Sequence, residues 1–404
     1  MDRIIFHIDV NSAYLSWTSV EHLKNGDGID LRDIPAIIGG DQKSRHGVVL
    51  AKSGPAKVFH VRTGEPVVDA LRKCPNLVIE PPDHHLYHEY SRRLMELLSE
   101  YSPDLEQVSV DECYMDFSGM TRHYASPVAA ATSIKDRICS ELGFTVNIGI
   151  SSNKLLAKMA SDFEKPNRVH TLFPQEIPAK MWPLPVEELF MVGRSSAQLL
   201  HKLEILTIGD LARTDPALLT AHLKSHGRLI WEYANGIDDT PVIGTPAEAK
   251  GIGNSTTLPQ DVTTLPEAQI ILRSLSESVS ERLRNAGQLA GMVSVEIKYS
   301  DFTVFSHQAQ LPVPSNTNAS IYECAGRLFG ELWNHGPIRL LGIRTSKLVP
   351  ADTRIQISLF DLEKPVSEKQ KKLDAALDQI RRKYGNTAVV RGSLMERGED
   401  DGEM

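Results

Sequence analysis

The 404-residue sequence predicts a multidomain α+β protein, and three observations point to it. Strand-like apolar runs mix with helical patterns to about residue 170; strand signals then vanish between about 173 and 240; beyond 250 the elements follow the order βαββαβ. A chain of this length exceeds one ordinary core, so two to four domains are expected.

In the first part, "RIIFHIDV", "EQVSVDECYMDF" and "FTVNIGIS" are short, rich in β-branched and aromatic residues, and bounded by polar turns, which predicts strands of a buried sheet. The segments "HEYSRRLMELLSEY", "SPVAAATSIKDRICSEL" and "NKLLAKMASDF" repeat apolar residues at helical spacing. Next come short helical stretches punctuated by Pro and Gly, such as "PLPVEELFMVG" and "SAQLLHKLEILTIGDLA", which predict a small all-helical unit. The Pro-containing "DDTPVIGTPAEAK" reads as a linker. After it, a short strand "GIGNSTTLP", a long amphipathic helix, two alternating runs, a second helix and "IRLLGIRTSKLV" predict a four-stranded antiparallel sheet backed by two helices, a split βαβ arrangement. The tail holds "QISLFDLEKP" and a charged helical pattern, "SEKQKKLDAALDQIRRKYG"; its acidic last ten residues are expected to lack order.

Composition narrows the function. Hydrophobic content of 41% with 24% charged suits a globular protein, and no run of about 18 apolar residues could span a membrane. The start "MDRIIFHIDV" lacks the pattern of a signal peptide, so a cytoplasmic location is expected. Four scattered cysteines without a C-x-x-C pair indicate neither zinc nor a disulfide framework. A net charge of −8 argues against coating nucleic acid by bulk charge, so any phosphate binding must be local.

In "SVDECYMDF", two adjacent carboxylates, Asp111 and Glu112, interrupt an apolar run. Neighbours on a regular strand point to opposite faces, so the pair converges only at a turn or bulge, and a hairpin tip is expected. Asp9 ends the strand "RIIFHID". If those strands are neighbours, three acids meet at one sheet edge, where a divalent cation would relieve their repulsion; all-oxygen ligands favour Mg²⁺ or Mn²⁺, and paired ions suit phosphoryl or nucleotidyl transfer. The alternative is a capping aspartate and a solvated hairpin end among 52 acidic residues. In "NIGISSNKLLAKMASDFEKPN" a strand turns into a helix followed by Lys154, Lys158 and Lys165. Its apolar spacing leaves the lysines off the buried face, where they form either a binding surface or a solvated one.

Together "HIDVNSAY", "SVDECYMDF" and "IGISSNKLLAKMASDFEKPN" resemble, in order and spacing, the Y-family translesion DNA polymerases, and the resemblance covers residues 1–350. It implies a right-hand polymerase: palm (1–12 and 83–172), fingers (13–82), helical thumb (173–240), linker (241–250), βαββαβ little finger (251–350) and a C-terminal tail (351–404). It implies that Asp9, Asp111 and Glu112, with the carbonyl of Val10, bind two Mg²⁺ ions, Mn²⁺ being a possible substitute, and that these acids serve catalysis. Tyr14 resembles the steric gate that rejects ribonucleotides. Lys165, more weakly Lys158, and Lys57 match nucleotide-binding positions. Gly54 and Pro55 stand where the family has a tyrosine and a glutamate, a departure that implies either reduced nucleotide affinity or rate, or compensation by Ser53 and backbone N–H groups. In the thumb, "LFMVGRSSAQLLHKLEILTIGDLA" resembles a helix-hairpin-helix that aims N–H groups at a DNA phosphate; Gly193 remains but Met191 replaces the first glycine, which suggests a hindered or shifted turn, or a plain helix–loop–helix. Lys298, Arg344 and Lys347 alternate with apolar residues on little-finger strands and would face the DNA backbone. Gln356, Leu359 and Phe360 in "QISLF" resemble the pentapeptide by which bacterial polymerases dock on the sliding clamp.

The implied activity is template-directed addition of deoxynucleoside triphosphates to primer–template DNA, with low fidelity and low processivity, by a monomer with no membrane association. A catalytically weakened DNA- and clamp-binding accessory module is the alternative that Gly54, Pro55 and Met191 favour; a metal-dependent nuclease is more remote.

Overall fold

The computed structural model describes residues 3–26, 28–40, 47–245, 248–353, 368–385 and 388–389. The expectations for Gln356, Leu359 and Phe360, and for the last ten residues, lie outside them. The described residues up to 245 belong to one compact unit and those from 248 onward to a second.

The first unit contains β1 (Ile5–Val10), β2 (Ala36–Gly39), β3 (Val49–Lys52), β4 (Val78–Glu80), β5 (Leu105–Gln107), β6 (Glu112–Asp116), β7 (Val146–Ser151) and β8 (Val169–Thr171). They form a five-stranded sheet, β5-β6-β1-β7-β8, and a three-stranded one, β3-β2-β4. Helices α1 (Ala13–Asn25), α2 (Gly54–Val58), α3 (Val67–Lys73), α4 (His84–Ser99), α5 (Pro127–Leu142) and α6 (Lys154–Asp162) accompany them. β1 and β7 are buried along their whole length, which is why their sequences read as continuous runs rather than alternating ones. On one face, Phe6 and Ile8 pack with Trp17 of α1, Tyr87, Tyr90 and Leu94 of α4, and Ile134 and Ile138 of α5. Each such fully buried side chain contributes about 1.5–3 kcal/mol of transfer free energy.

The opposite face carries Ile5, His7 and Asp9, and α6 lies on it. The approach is close: a Cβ at Gly149 of β7 would sit 2.0 Å from the Ala157 carbonyl oxygen, so only glycine permits it. Asn153 starts α6 by accepting a bond from the Leu156 N–H at 2.8 Å. On its far side α6 gives Leu155, Leu156 and Met159 to a core shared with α7 (Ile177–Lys180), α8 (Arg194–Lys202), α9 (Ile208–Arg213), α10 (Pro216–Leu223) and α11 (Ser225–Ala234), the strand-free region read from the sequence.

The second unit runs β9 (Gly251–Val262), α12 (Leu265–Asn285), β10 (Gln288–Tyr299), β11 (Val304–Ser315), α13 (Asn318–Leu332) and β12 (Ile338–Pro350). Its sheet order is β11-β10-β12-β9, every pairing is antiparallel, and each βαβ is split by one intervening strand. β9 outruns the short strand read from "GIGNSTTLP", because β12 pairs with it as far as Val262 across an irregularity in register. Leu272, Leu275 and Val279 of α12 and Leu328 and Phe329 of α13 cover Val293, Val295, Leu341 and Ile343.

A last helix, α14 (Glu368–Tyr384), docks on this unit in an unusual way. It buries Asp374, Asp378 and Arg381 while leaving Leu373, Ile380 and Tyr384 exposed. Arg284 of α12 grips Asp378 through one guanidinium edge, Nε at 2.5 Å and Nη2 at 2.8 Å, Arg381 bonds Glu277 at 2.8 Å, and Asp374 accepts the Asn318 N–H at the start of α13 at 3.0 Å. Removing one member of a buried pair typically costs about 3–5 kcal/mol, but undocking returns the orphaned charge to water and caps the loss at the docking energy. Asp378→Ala should therefore release α14 without unfolding the sheet. Hydrogen exchange is expected to rise across 368–384 and stay slow in β9 to β12; unchanged protection of α14 would contradict this.

Candidate active site

The antiparallel register of β1 and β6 sets Asp9 directly opposite Glu112. Between β5 and β6 the chain reverses, with the Val108 and Ser109 N–H groups bonding the Glu112 carbonyl at 3.0 and 3.3 Å. Asp111 sits in that turn, its carbonyl accepting the Val10 N–H at 3.0 Å, so Asp9, Val10, Asp111 and Glu112 gather at one sheet edge. The hairpin turn is how adjacent acids avoid opposite faces. Two of the three carboxylates face each other, while the third is turned aside: Ser109 Oγ donates to Asp111 Oδ1 at 2.6 Å.

Two lysines meet the facing acids. Lys158 Nζ donates to Glu112 Oε1 at 2.6 Å, and Lys165 Nζ pairs with Asp9 and, at 2.9 Å, with Asp162. The lysines of α6 are thus not on a solvated face: the Lys158 side chain is only 13% exposed, because both faces of this helix are covered. Burial pushes the Asp9 carboxyl above its usual range, and the Lys165 charge offsets this only in part. Burial disfavours the Lys165 ammonium, but Asp9 and Asp162 outweigh it and hold its pKa above the ordinary value. Burial likewise opposes Lys158, which Glu112 and Asp162 hold above its ordinary value.

Among the described residues no three His, Cys, Asp or Glu side chains are spaced to hold a metal ion as they stand. The donor chemistry nonetheless fits a hard divalent cation: the acids offer only carboxylate oxygens, and ammonium groups already stand in as the counter-charge they need.

Beside this edge lies an open cavity of about 370 Å³ lined by Val10, Ser12, Tyr14, Lys52, Thr63 and Asp111, among others. Ser12 turns the chain from β1 into α1 with φ 50°, a left-handed conformation that brings Tyr14 to the cavity. The Tyr14 ring stacks on Tyr87 at 4.3 Å between centroids with 5° between planes, so it is both a core neighbour and a stiff wall. Lys52 and Thr63 escaped the sequence reading: β3 alternates buried Val49 and Ala51 with half-buried Leu50 and Lys52, a pattern that the apolar letters of "VLAK" do not show. Lys57 is exposed near the end of α2 and is not among the lining residues.

Ser53 is unavailable as a substitute for the tyrosine that Gly54 replaces. It is 2% exposed and its hydroxyl is committed, donating to the Ile34 carbonyl at 2.7 Å and accepting from the Ala36 and Ala56 N–H groups at 3.1 Å each. Gly54 and Pro55 instead begin α2, where proline is well tolerated. Met191 occupies its turn in a left-handed conformation. It adopts φ 73°, the conformation a glycine would take, at a cost of about 1–2 kcal/mol, and Gly193 caps α8 with φ −81°.

On the open face of the second unit's sheet, Arg344, Ser294 and Gln308 share one cross-strand row, and Lys298 lies on the same face. Lys347 is three positions from Arg344 and on a regular strand would face the other way. Its backbone leaves the strand conformation with φ 51°, although the register with β10 is unbroken on either side of it, and its Nζ reaches Gln310 at 3.4 Å.

The impB/mucB/samB family model matches residues 8–162, and the model of that family's C-terminal domain matches 249–359. A solved Y-family DNA polymerase chimera superposes with a TM-score of 0.75 at 20% identity, covering 86% of this chain and 99% of that one, which establishes the shared fold. The DNA polymerase IV of Clostridium acetobutylicum is 48% identical over 399 residues, spanning 99% of this chain and 100% of the relative. This chain belongs to the Y-family of DNA polymerases. The DNA polymerase IV of Acetivibrio thermocellus is 37% identical across 98% of both chains. In this Y-family polymerase the acidic edge, the cavity and the split-βαβ sheet all fall within the matched segments. No helix among the described residues is long and apolar enough to cross a membrane.

Proposed function

We propose that this Y-family polymerase is a DNA-directed DNA polymerase of the translesion type, in which Asp9, the Val10 carbonyl, Asp111 and Glu112 hold two divalent cations, Mg²⁺ or in its place Mn²⁺. The ions supply activation of the primer 3′-hydroxyl and stabilisation of the departing pyrophosphate. The protein's own groups orient and select. Tyr14 walls the cavity against a 2′-hydroxyl, Lys165, with Lys158 and Lys57, receives the triphosphate, and Asp111 turns from Ser109 toward the site. What supports the reading above all is the Asp9–Glu112 register, which forces two carboxylates together beside a cavity walled by Tyr14 and lined by Asp111.

Residues 1–12 and 83–172 then act as palm, 13–82 as fingers, 173–240 as thumb and 251–350 as little finger. Gly193, Lys298, Arg344 and Lys347 hold the DNA backbone, and the enzyme works as a monomer in the cytoplasm. Gln356, Leu359 and Phe360 dock on the sliding clamp. If both apolar residues act as anchors worth about 2 kcal/mol each, Leu359→Ala with Phe360→Ala should weaken clamp binding by about 10³-fold, read by titrating isolated clamp. Affinity within threefold of the parent would remove the motif from that role.

The deciding experiment is a labelled primer on undamaged template with all four deoxynucleotides, with and without Mg²⁺. Lengthening that requires the ion is expected. An unchanged primer would favour the accessory module, for which Gly54, Pro55 and the committed hydroxyl of Ser53 speak; a shortened primer would indicate a nuclease.

A further inference from the structure

The segment that carries Lys165 is held from beneath by one buried amide. Asn147 of β7 is fully buried and is the cross-strand partner of Asp9. Its Nδ2 donates to the carbonyls of Ser161 at 3.0 Å and Glu164 at 2.7 Å. Its Oδ1 accepts from the Arg168 N–H at 3.2 Å and from Asn11 Nδ2 at 3.1 Å. Those four bonds use the whole capacity of an amide side chain. They bracket Lys165, with Glu164 held just before it and Arg168 shortly after.

Asn11 completes the grip. It is 9% exposed, and its Oδ1 accepts the Asn167 N–H at 2.9 Å and the Thr145 hydroxyl at 3.0 Å. Two linked asparagines therefore anchor residues 164, 167 and 168, and the ammonium of the intervening lysine reaches Asp9. A polar side chain in the otherwise apolar "VNIGIS" costs desolvation unless every bond is made, and here the bonds go to the end of α6, the lysine segment and Asn11. Aspartate lacks the donors and adds charge beside Asp9; serine is too short to reach both sides.

We propose that Asn147, assisted by Asn11, is a positioning residue for nucleotide binding: it holds Lys165 where the ammonium meets the incoming triphosphate. This rests on the reading of Lys165 as a triphosphate contact. Without the amide the segment occupies its competent arrangement only part of the time, and apparent affinity falls by that fraction.

The test uses the full-length protein with Mg²⁺ on a primer ended by a dideoxynucleotide, so that the dissociation constant of the complementary deoxynucleoside triphosphate is read without turnover. Asn147→Ala is expected to weaken nucleotide binding by about tenfold in the folded protein, with primer–template affinity little changed, while the melting temperature falls because the buried partners of the amide lose their bonds. Lys165→Ala should weaken binding, and adding Asn147→Ala to it should change nothing further within twofold, because no ammonium remains to be placed. Multiplying effects, or an Asn147→Ala protein within twofold of the parent while Lys165→Ala is impaired, would overturn the proposal. If Lys165→Ala binds nucleotide normally, the triphosphate reading itself falls and takes the proposal with it. Should Asn147→Ala fail to fold, Asn11→Ala, which frees Asn167, decides by the same comparison.

Discussion

Asp111→Ala is expected to abolish primer extension, with the single-turnover rate for a correct nucleotide falling by about 10³ or more, equivalent to about 4 kcal/mol of lost transition-state stabilisation. The effect should be chemical rather than structural. Asp111 lies in the β5–β6 turn, its side chain bonded only locally to Ser109, and the backbone bond that joins the turn to β1 runs from the Val10 N–H to the Asp111 carbonyl, which alanine keeps. Removing the carboxylate also relieves repulsion from Glu112, so thermal stability should stay within about 1 kcal/mol of the parent. Rapid-quench incorporation paired with a melting curve separates these claims: more than a tenth of the parent rate in a folded protein would exclude Asp111 from the site.

Tyr14→Ala should open the enzyme to ribonucleotides. The ring cannot retreat, because it is stacked face to face on Tyr87, itself 1% exposed, with His84 edge-on at 6.3 Å. Forcing an extra group into such a wall costs about 1–3 kcal/mol, so the ratio of kcat/KM for deoxyribo- over ribonucleotide should drop about 10- to 100-fold in the variant. Tyr14→Phe keeps the wall and should keep the discrimination, which tells a steric role from one needing the hydroxyl. Equal discrimination in Tyr14→Ala and the parent would return Tyr14 to a packing role alone.

The strands, the helical middle and the split-βαβ sheet were legible because each rests on a local signal, hydrophobic period or turn residues, whereas the gathering of Asp9 with Asp111 and Glu112 needs strands about a hundred positions apart to pair and was read only through the family resemblance. What was not legible depended on side chains from distant positions. The sequence reading left Lys154, Lys158 and Lys165 off the buried face, as either a binding surface or a solvated one, whereas Lys158 of α6 and Lys165 just beyond its end pair with Glu112 and Asp9, more than forty positions away. Ser53 looked free for a triphosphate, but the register of β2 and β3 brings Ile34 and Ala36 to its hydroxyl. Met191 looked like an obstacle, yet the turn keeps its left-handed residue at an energetic cost that the fold can bear.

The tail makes the same point. Nothing in the composition of "SEKQKKLDAALDQIRRKYG" says that Asp374, Asp378 and Arg381 turn inward while Leu373 and Ile380 stay exposed, since that polarity is set by Arg284 and Glu277 waiting on α12. By itself the sequence determined which segments are strands or helices, for these follow from the spacing of neighbours along the chain. The tertiary structure alone decided which cation faces which acid, which hydroxyl is already spent and which amide holds the lysine segment. Those pairings form only where chain-distant groups are buried together, and there the cost of leaving a polar group unmatched selects the partner.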